Sequence, residues 1–268
     1  MAGQIRIGVG GWTYEPWRGT FYPAELAHKR ELEYAASKLT SIEINGTFYG
    51  AQKPESFAKW RDETPAGFVF AVKAPRYATH RRALSSAGPV LERFLRGGVL
   101  ELKDKLGPIN WQLMPTTKFE AADLEGFLKL LPRSAGGRTL RHALEARHKT
   151  FRVPEFVDMM RHYGVAIVVA GDSSDYPQIA DPTAGFVYAR IMGTREGEPL
   201  GYSTAALDRW AQRARGWASG VTPEDLEVVG GAGETQRVER DVFLYVINGH
   251  KVSNPAAAQA LIECVKSG

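Results

Sequence analysis

The sequence predicts an α/β fold: a single (β/α)8 barrel of the TIM type spanning residues 1–268. The chain has 268 residues, a length at which single α/β barrels are common. Eight short apolar runs alternate with mostly helical segments, the pattern of successive parallel βαβ units. A polar residue closes nearly every apolar run, and barrel strand ends meet at one mouth. An open doubly wound sheet is the rival. GVGGWTY lacks the GxGxxG spacing that would favour it, and nothing resembles a P-loop.

Residues 5–11 alternate apolar side chains with glycine and read as the first strand. Residues 25–39 carry Leu26, Leu32, Ala35, Ala36 and Leu39 at helical spacing. The second strand is 41–45, with Ile42 and Ile44 on one face and Glu43 and Asn45 on the other. Pro54 opens the next helix, 54–60, because proline suits a first turn. Residues 68–73 form the third strand, and 90–103 are helical apart from Gly97 and Gly98. The fourth strand, 108–113, precedes a helix at 123–131 that Pro132 closes. The fifth strand is 140–146 and its helix 154–163. The sixth, 165–170, runs into GDSSDYPQ, which leaves room for only a very short helix. The seventh strand is 186–192, followed by a helix at 203–217 that Ser203 caps. The eighth is 242–247, followed by a helix at 255–265. Segment 218–240, rich in glycine and charge, is expected to be a long surface loop.

Hydrophobic content of 44% with 24% charged residues suits a globular protein that buries a full core. The net charge of +4 favours anionic partners but is modest for a dedicated duplex binder. A lone cysteine, Cys264, forms no internal disulfide, so a reducing compartment is expected. The first residues lack a signal peptide's apolar core, and VAIVVA at 165–170 is too short to span a bilayer. The expectation is a cytoplasmic protein with no membrane partner.

The strand ends supply the candidate site. Glu43, Lys73, Glu145 and His148 are the expected catalytic groups. Trp12, Tyr14, Asn45, Gln112, Arg147, Asp172, Arg190 and Tyr245 are the expected substrate-binding groups. Mixed charges such as Glu43, Lys73, Glu145 and Arg190 read as a compensated network, because a buried charge without a partner is costly. His142 falls on the other face of its strand and reads as structural. Basic loops at 73–82 and 138–152 and aromatic loops at 12–22 and 46–50 border the same rim. Cations beside aromatic planes suit phosphates and bases. Trp17, Phe21 and Tyr22 are expected to pack against the first helix, and Trp12 and Tyr14 to line the mouth.

GGWTYEPWRGTFYP, EINGTFY, FVFAVKAPRYATH, LKDKLGPINWQL, HALEARH and FVYARIMG occur in that order over almost the whole chain, roughly residues 5–265. This series resembles the signatures of the domain of unknown function 72 family, also called YecE-like. The resemblance implies a TIM-type barrel and no settled activity. Two places depart from the family pattern: Leu113, Met114 and Pro115 after the fourth strand, and VINGHK after the eighth, which offers Asn248 and no aspartate.

The preferred reading is an enzyme, of hydrolase, lyase or isomerase type, using metal-free acid/base chemistry on a small anionic substrate. Glu43 or Glu145 would be the base and His148 an acid or base, while Lys73, Arg147 and Arg190 would hold the anion. Lys73 as a Schiff-base nucleophile requires a depressed pKa, which adjacent carboxylates oppose. No resident cofactor is expected. A divalent ion on Glu43, Glu145, His148 and Asp172 is an alternative, with no HxH or HxxxH pair to support it. A second alternative is a nucleotide or nucleic-acid binding module without catalysis.

Overall fold

The computed structural model describes residues 2–230 and 238–268. Eight strands form a closed barrel: β1 (Ile5–Gly10), β2 (Ser41–Ile44), β3 (Val69–Lys73), β4 (Leu106–Gln112), β5 (His142–Glu145), β6 (Ala166–Gly171), β7 (Phe186–Ile191) and β8 (Asp241–Val246). Each pairs in parallel with its sequence neighbours, and β1 pairs with β8. This is the expected (β/α)8 architecture.

Alternation along each strand divides the apolar residues into two cores. Outward side chains such as Val9, Ile42, Ile44, Phe70 and Val169 pack with the helices. Inward ones such as Val69, Ala143, Val168, Tyr188, Phe243 and Tyr245 fill the barrel. Gly8 permits β1 to approach β2, since a Cβ there would lie 1.8 Å from the Ser41 carbonyl oxygen. The surrounding helices are α1 (Glu31–Lys38), α2 (Pro54–Asp62), α3 (Gly88–Arg96), α4 (Ala121–Leu130), α5 (Pro154–Tyr163), α6 (Thr204–Ala218) and α7 (Asn254–Ser267). Proline occupies the first turn of α2, α3, α5 and α7, where its missing N–H costs nothing. Ser203 caps α6 through its hydroxyl, as expected.

The structure departs from expectation in the connections. Residues 172–185 contain no helix, not even the short one expected after the sixth strand. Thr183 instead ties this segment to the barrel: its hydroxyl accepts from Ile167 N and donates to Val165 O. Asp181 accepts from Val229 N and Gly230 N at 2.7 and 2.9 Å, which anchors part of the 218–240 segment. Leu226 in that segment is buried, so this stretch is not purely surface. Residues 231–237 of the expected loop lie outside the described residues. A small hairpin, Ser134–Ala135 with Arg138–Thr139, leads into β5. Short helices at Gly46–Tyr49 and Arg76–Thr79 follow β2 and β3 directly. Among the described residues, no helix is long and apolar enough to cross a membrane.

Candidate active site

Strand alternation fixes which side chains reach the mouth. Ile42 and Ile44 join the outer core, so Glu43 points inward. The same rule turns Asn110 and Gln112 inward on β4 while Trp111 joins the outer core. It also turns Tyr188 and Arg190 inward on β7. The result is a buried cluster built on an ion-paired bridge. Arg190 Nη1 donates to Glu145 Oε2 at 2.7 Å and Nη2 donates to Glu43 Oε1 at 3.0 Å. Tyr188 OH donates to the second Glu43 oxygen at 2.5 Å. Glu145 Oε2 also accepts from Gln112 Nε2 at 2.8 Å and Asn110 Nδ2 at 3.2 Å. Arg147 closes on Glu145 Oε1 through Nε at 2.9 Å and Nη2 at 2.8 Å. Its guanidinium lies 4.2 Å from the centre of the Tyr176 ring.

These partners set the protonation states. Burial opposes ionisation of Glu145, but Arg190, Arg147, Lys73 and the Gln112 amide more than offset it and hold its carboxyl down to about 2. Burial likewise disfavours the Arg190 cation, yet Glu145 and Glu43 raise its pKa above the ordinary arginine value. Lys73 behaves oppositely. Its residue is 6% exposed, and among the described residues its ammonium makes no hydrogen bond or ion pair. The Phe48 ring lies beneath it, 4.0 Å from Nζ to the ring centre. Burial and then Arg190 lower its pKa to about 8, against the upward pull of Glu43 and Glu145. His80, beside Phe48, is also held below the ordinary histidine value, by burial and then by Arg76, Lys73 and Arg147.

The structure brings Glu43, Lys73, Gln112, Glu145, Arg147 and Arg190 together, with Asn45 half-buried above Glu43. Five expected site residues lie elsewhere. Tyr245 is fully buried below the cluster, where its OH pairs with Ser41 Oγ at 2.7 Å. Asp172 uses its carboxylate on Met192 N, Tyr202 OH and Trp210 Nε1. His148 commits Nδ1 to Thr150, capping a single turn. Trp12 packs edge-on against Trp60, and Tyr14 against Trp17 with Lys251 Nζ over its ring, so neither lines the cluster. Trp17, Phe21 and Tyr22 are buried, as expected. His142 is structural, as expected: its Nδ1 accepts from Trp111 Nε1 and its Nε2 lies 2.9 Å from the Pro132 carbonyl. Sequence reasoning missed Asn110 and Tyr176; it places Tyr188 on one strand face with Arg190 but gives it no role, and it reaches Phe48 only as part of the 46–50 aromatic loop. Asn110 stands two residues before Gln112, so the period of a strand contained the signal. Phe48 and Tyr176 depend on loop paths that no periodicity encodes.

Among the described residues, no three His, Cys, Asp or Glu side chains converge as metal ligands. Of the four donors expected for a divalent ion, Glu43 and Glu145 are both committed to Arg190, and Asp172 turns to Met192, Tyr202 and Trp210.

The fold and cluster define a TIM-type barrel protein with a charged, buried network at the mouth. The chain belongs to the DUF72 family: residues 6–268 match the family described as "Protein of unknown function DUF72". It is 29% identical to the UPF0759 protein YecE of Escherichia coli K12 over 150 residues, 55% of this chain and 50% of that protein. It is 26% identical to YunF of Bacillus subtilis over 202 residues, 74% of this chain and 68% of that protein. The match thus spans half the length of the first relative. Crystal structures of DUF72 family proteins from Thermotoga maritima and Enterococcus faecalis superpose with TM-scores of 0.68 in both cases. Their identities are 21% and 16%; the superpositions cover 98% and 99% of this chain and 98% of each structure. These likenesses show the shared fold.

Proposed function

We propose that the mouth is a metal-free enzyme site for a small phosphate- or carboxylate-bearing substrate, with Lys73 as its proton-transferring group. The observation that carries this reading is Lys73, a residue only 6% exposed whose ammonium sits over the Phe48 ring and makes no hydrogen bond among the described residues. Glu43 and Glu145 supply two negative charges; Arg147, Arg190 and protonated Lys73 supply three positive ones. The surplus cation is costly when dehydrated, and an incoming anion relieves that cost.

Glu145 is a poor base at neutral pH because its carboxyl is held down to about 2. Its role in this reading is to fix Arg147 and Arg190. Lys73, held at about 8, is the group whose proton exchanges near neutrality. A lysine base beside a fixed guanidinium suits proton abstraction next to a carbonyl, the chemistry of isomerases and lyases. Calorimetry with inorganic phosphate and with pyruvate tests the site. Wild type is expected to bind one or both, and Lys73→Met to bind at least ten-fold more weakly. Equal binding by the variant would overturn the reading.

A second reading, a nucleotide or single-strand binding module, is favoured by one observation. Tyr49 and Tyr77, on the short helices after β2 and β3, are 65% and 58% exposed, and Arg76 lies over the Tyr77 ring. Exposed rings beside cations offer stacking surfaces for bases. Under this reading, affinity for a short oligonucleotide falls steeply with salt and falls again in a Tyr49→Ala/Tyr77→Ala variant. Absence of both effects would reject it.

A further inference from the structure

We infer that Lys73 is a covalent catalytic residue whose amine condenses with the carbonyl carbon of a small anionic aldehyde or ketone. This inference rests on the anion-binding reading of the mouth and gives the Lys73 amine a covalent step in place of direct proton abstraction.

The structure contains a control for what a buried lysine ordinarily does. Lys105, 8% exposed, places Nζ against Arg61 O at 2.6 Å, Thr64 O at 2.5 Å and Thr64 Oγ1 at 3.0 Å, so its three donors are satisfied. Lys73 is equally buried and satisfies none among the described residues. Charged groups approach it from several elements: Glu43 on β2, Glu145 on β5, Arg147 just beyond β5, and Arg190 on β7. His80, which follows the short helix after β3, is also near enough to sense it. Each carboxylate is spent on Arg190 rather than on Nζ. The two carboxylates still favour the charged lysine, but burial and Arg190 outweigh them. With its pKa at about 8, roughly a tenth of Lys73 is neutral at pH 7.

The step balances without any co-reactant. The neutral Nζ lone pair attacks the carbonyl carbon; the C–N bond forms as the C=O π pair moves to oxygen. Oxygen collects two protons and leaves as water, so ammonium plus carbonyl becomes iminium plus water. The iminium keeps the positive charge, which Glu43 and Glu145 continue to face. Asn110 is the register partner of Lys73 across β3 and β4. It is fully buried and its Oδ1 has no hydrogen-bond partner among the described residues, which makes that oxygen an acceptor suited to the N–H left on Nζ. Arg147 and Arg190 supply the charge that holds the anionic end of the substrate.

Reductive trapping tests the step on the wild-type protein. Pyruvate and, separately, glycolaldehyde phosphate are added with sodium cyanoborohydride, and modified lysines are mapped by peptide mass spectrometry. Lys73 is expected to be labelled at least ten-fold faster than the exposed Lys29, Lys53 and Lys129, and less so when inorganic phosphate competes. Unlabelled Lys73, or labelling spread evenly over surface lysines, would overturn the covalent step. Phosphate calorimetry on the same sample separates two failures. Phosphate bound with Lys73 unlabelled overturns the covalent step alone; neither binding nor labelling overturns the anion site as well.

Discussion

Arg190 bridges the barrel to Glu145: Nη1 and Oε2 lie 2.7 Å apart, and the two residues are 4% and 0% exposed. Its other terminal nitrogen holds Glu43 at 3.0 Å. One guanidinium therefore neutralises two buried carboxylates from strands on different sides of the mouth.

Removing that cation is expected to be severe. Arg190→Met leaves two buried carboxylates without their shared partner, a change that costs about 3–5 kcal/mol in comparable buried pairs. Urea unfolding measures it. The triple change Glu43→Gln, Arg190→Met, Glu145→Gln is expected to recover part of the loss, because no buried carboxylate is then left without its cation. A single variant as stable as wild type would contradict the bridge.

Acid should loosen the same contact. Glu145 is lowered from 4.5 to about 2 on folding, so its contribution is fully present above about 4.5 and is lost as pH falls toward about 2. Thermal unfolding from pH 6 to 2 is expected to show a steeper decline in wild type than in Glu145→Gln. Parallel profiles would mean that this carboxylate is not held as described.

Lys73 carries the opposite sign. Its pKa falls from 10.5 to about 8 on folding, so the unfolded chain binds more protons between those values and stability rises with pH there. Lys73→Met is expected to be more stable than wild type below about pH 8. The advantage should shrink as pH rises from about 8 to about 10.5. A constant difference across this window would count against a largely desolvated ammonium with no carboxylate partner of its own.

Much of this site was legible from strand periodicity. Glu43, Lys73, Gln112, Glu145 and Arg190 each stand at the end of an apolar run, and a closed barrel brings such ends together. Alternation also separated His142 from Glu145 correctly. The roles were less legible than the positions. Glu145 reads as a base in sequence, but four donor residues converge on it in space. Asp172 and His148 sit just past strand ends, where backbone geometry rather than periodicity aims the side chain. Asp172 has φ of +48°, and its carboxylate turns to Met192, Tyr202 and Trp210.

That placement gives a further expectation. Asp172→Ala removes three hydrogen bonds and puts alanine at a left-handed position, which should cost about 1–3 kcal/mol and alter the near-ultraviolet signal of Trp210. Asp172→Asn tolerates the same backbone and is expected to lose less. Equal, negligible effects in both variants would show the contact to be unimportant.

The most direct test of the account is the titration of Lys73 itself. Protein carrying carbon-13 lysine is followed by NMR from pH 6 to 11, with Lys73→Arg identifying the Lys73 Cε signal. A midpoint near 8 is expected, rising when inorganic phosphate is added. A midpoint near 10.5, unmoved by phosphate, would contradict the claim that the mouth holds an uncommitted, desolvated amine poised for an anion.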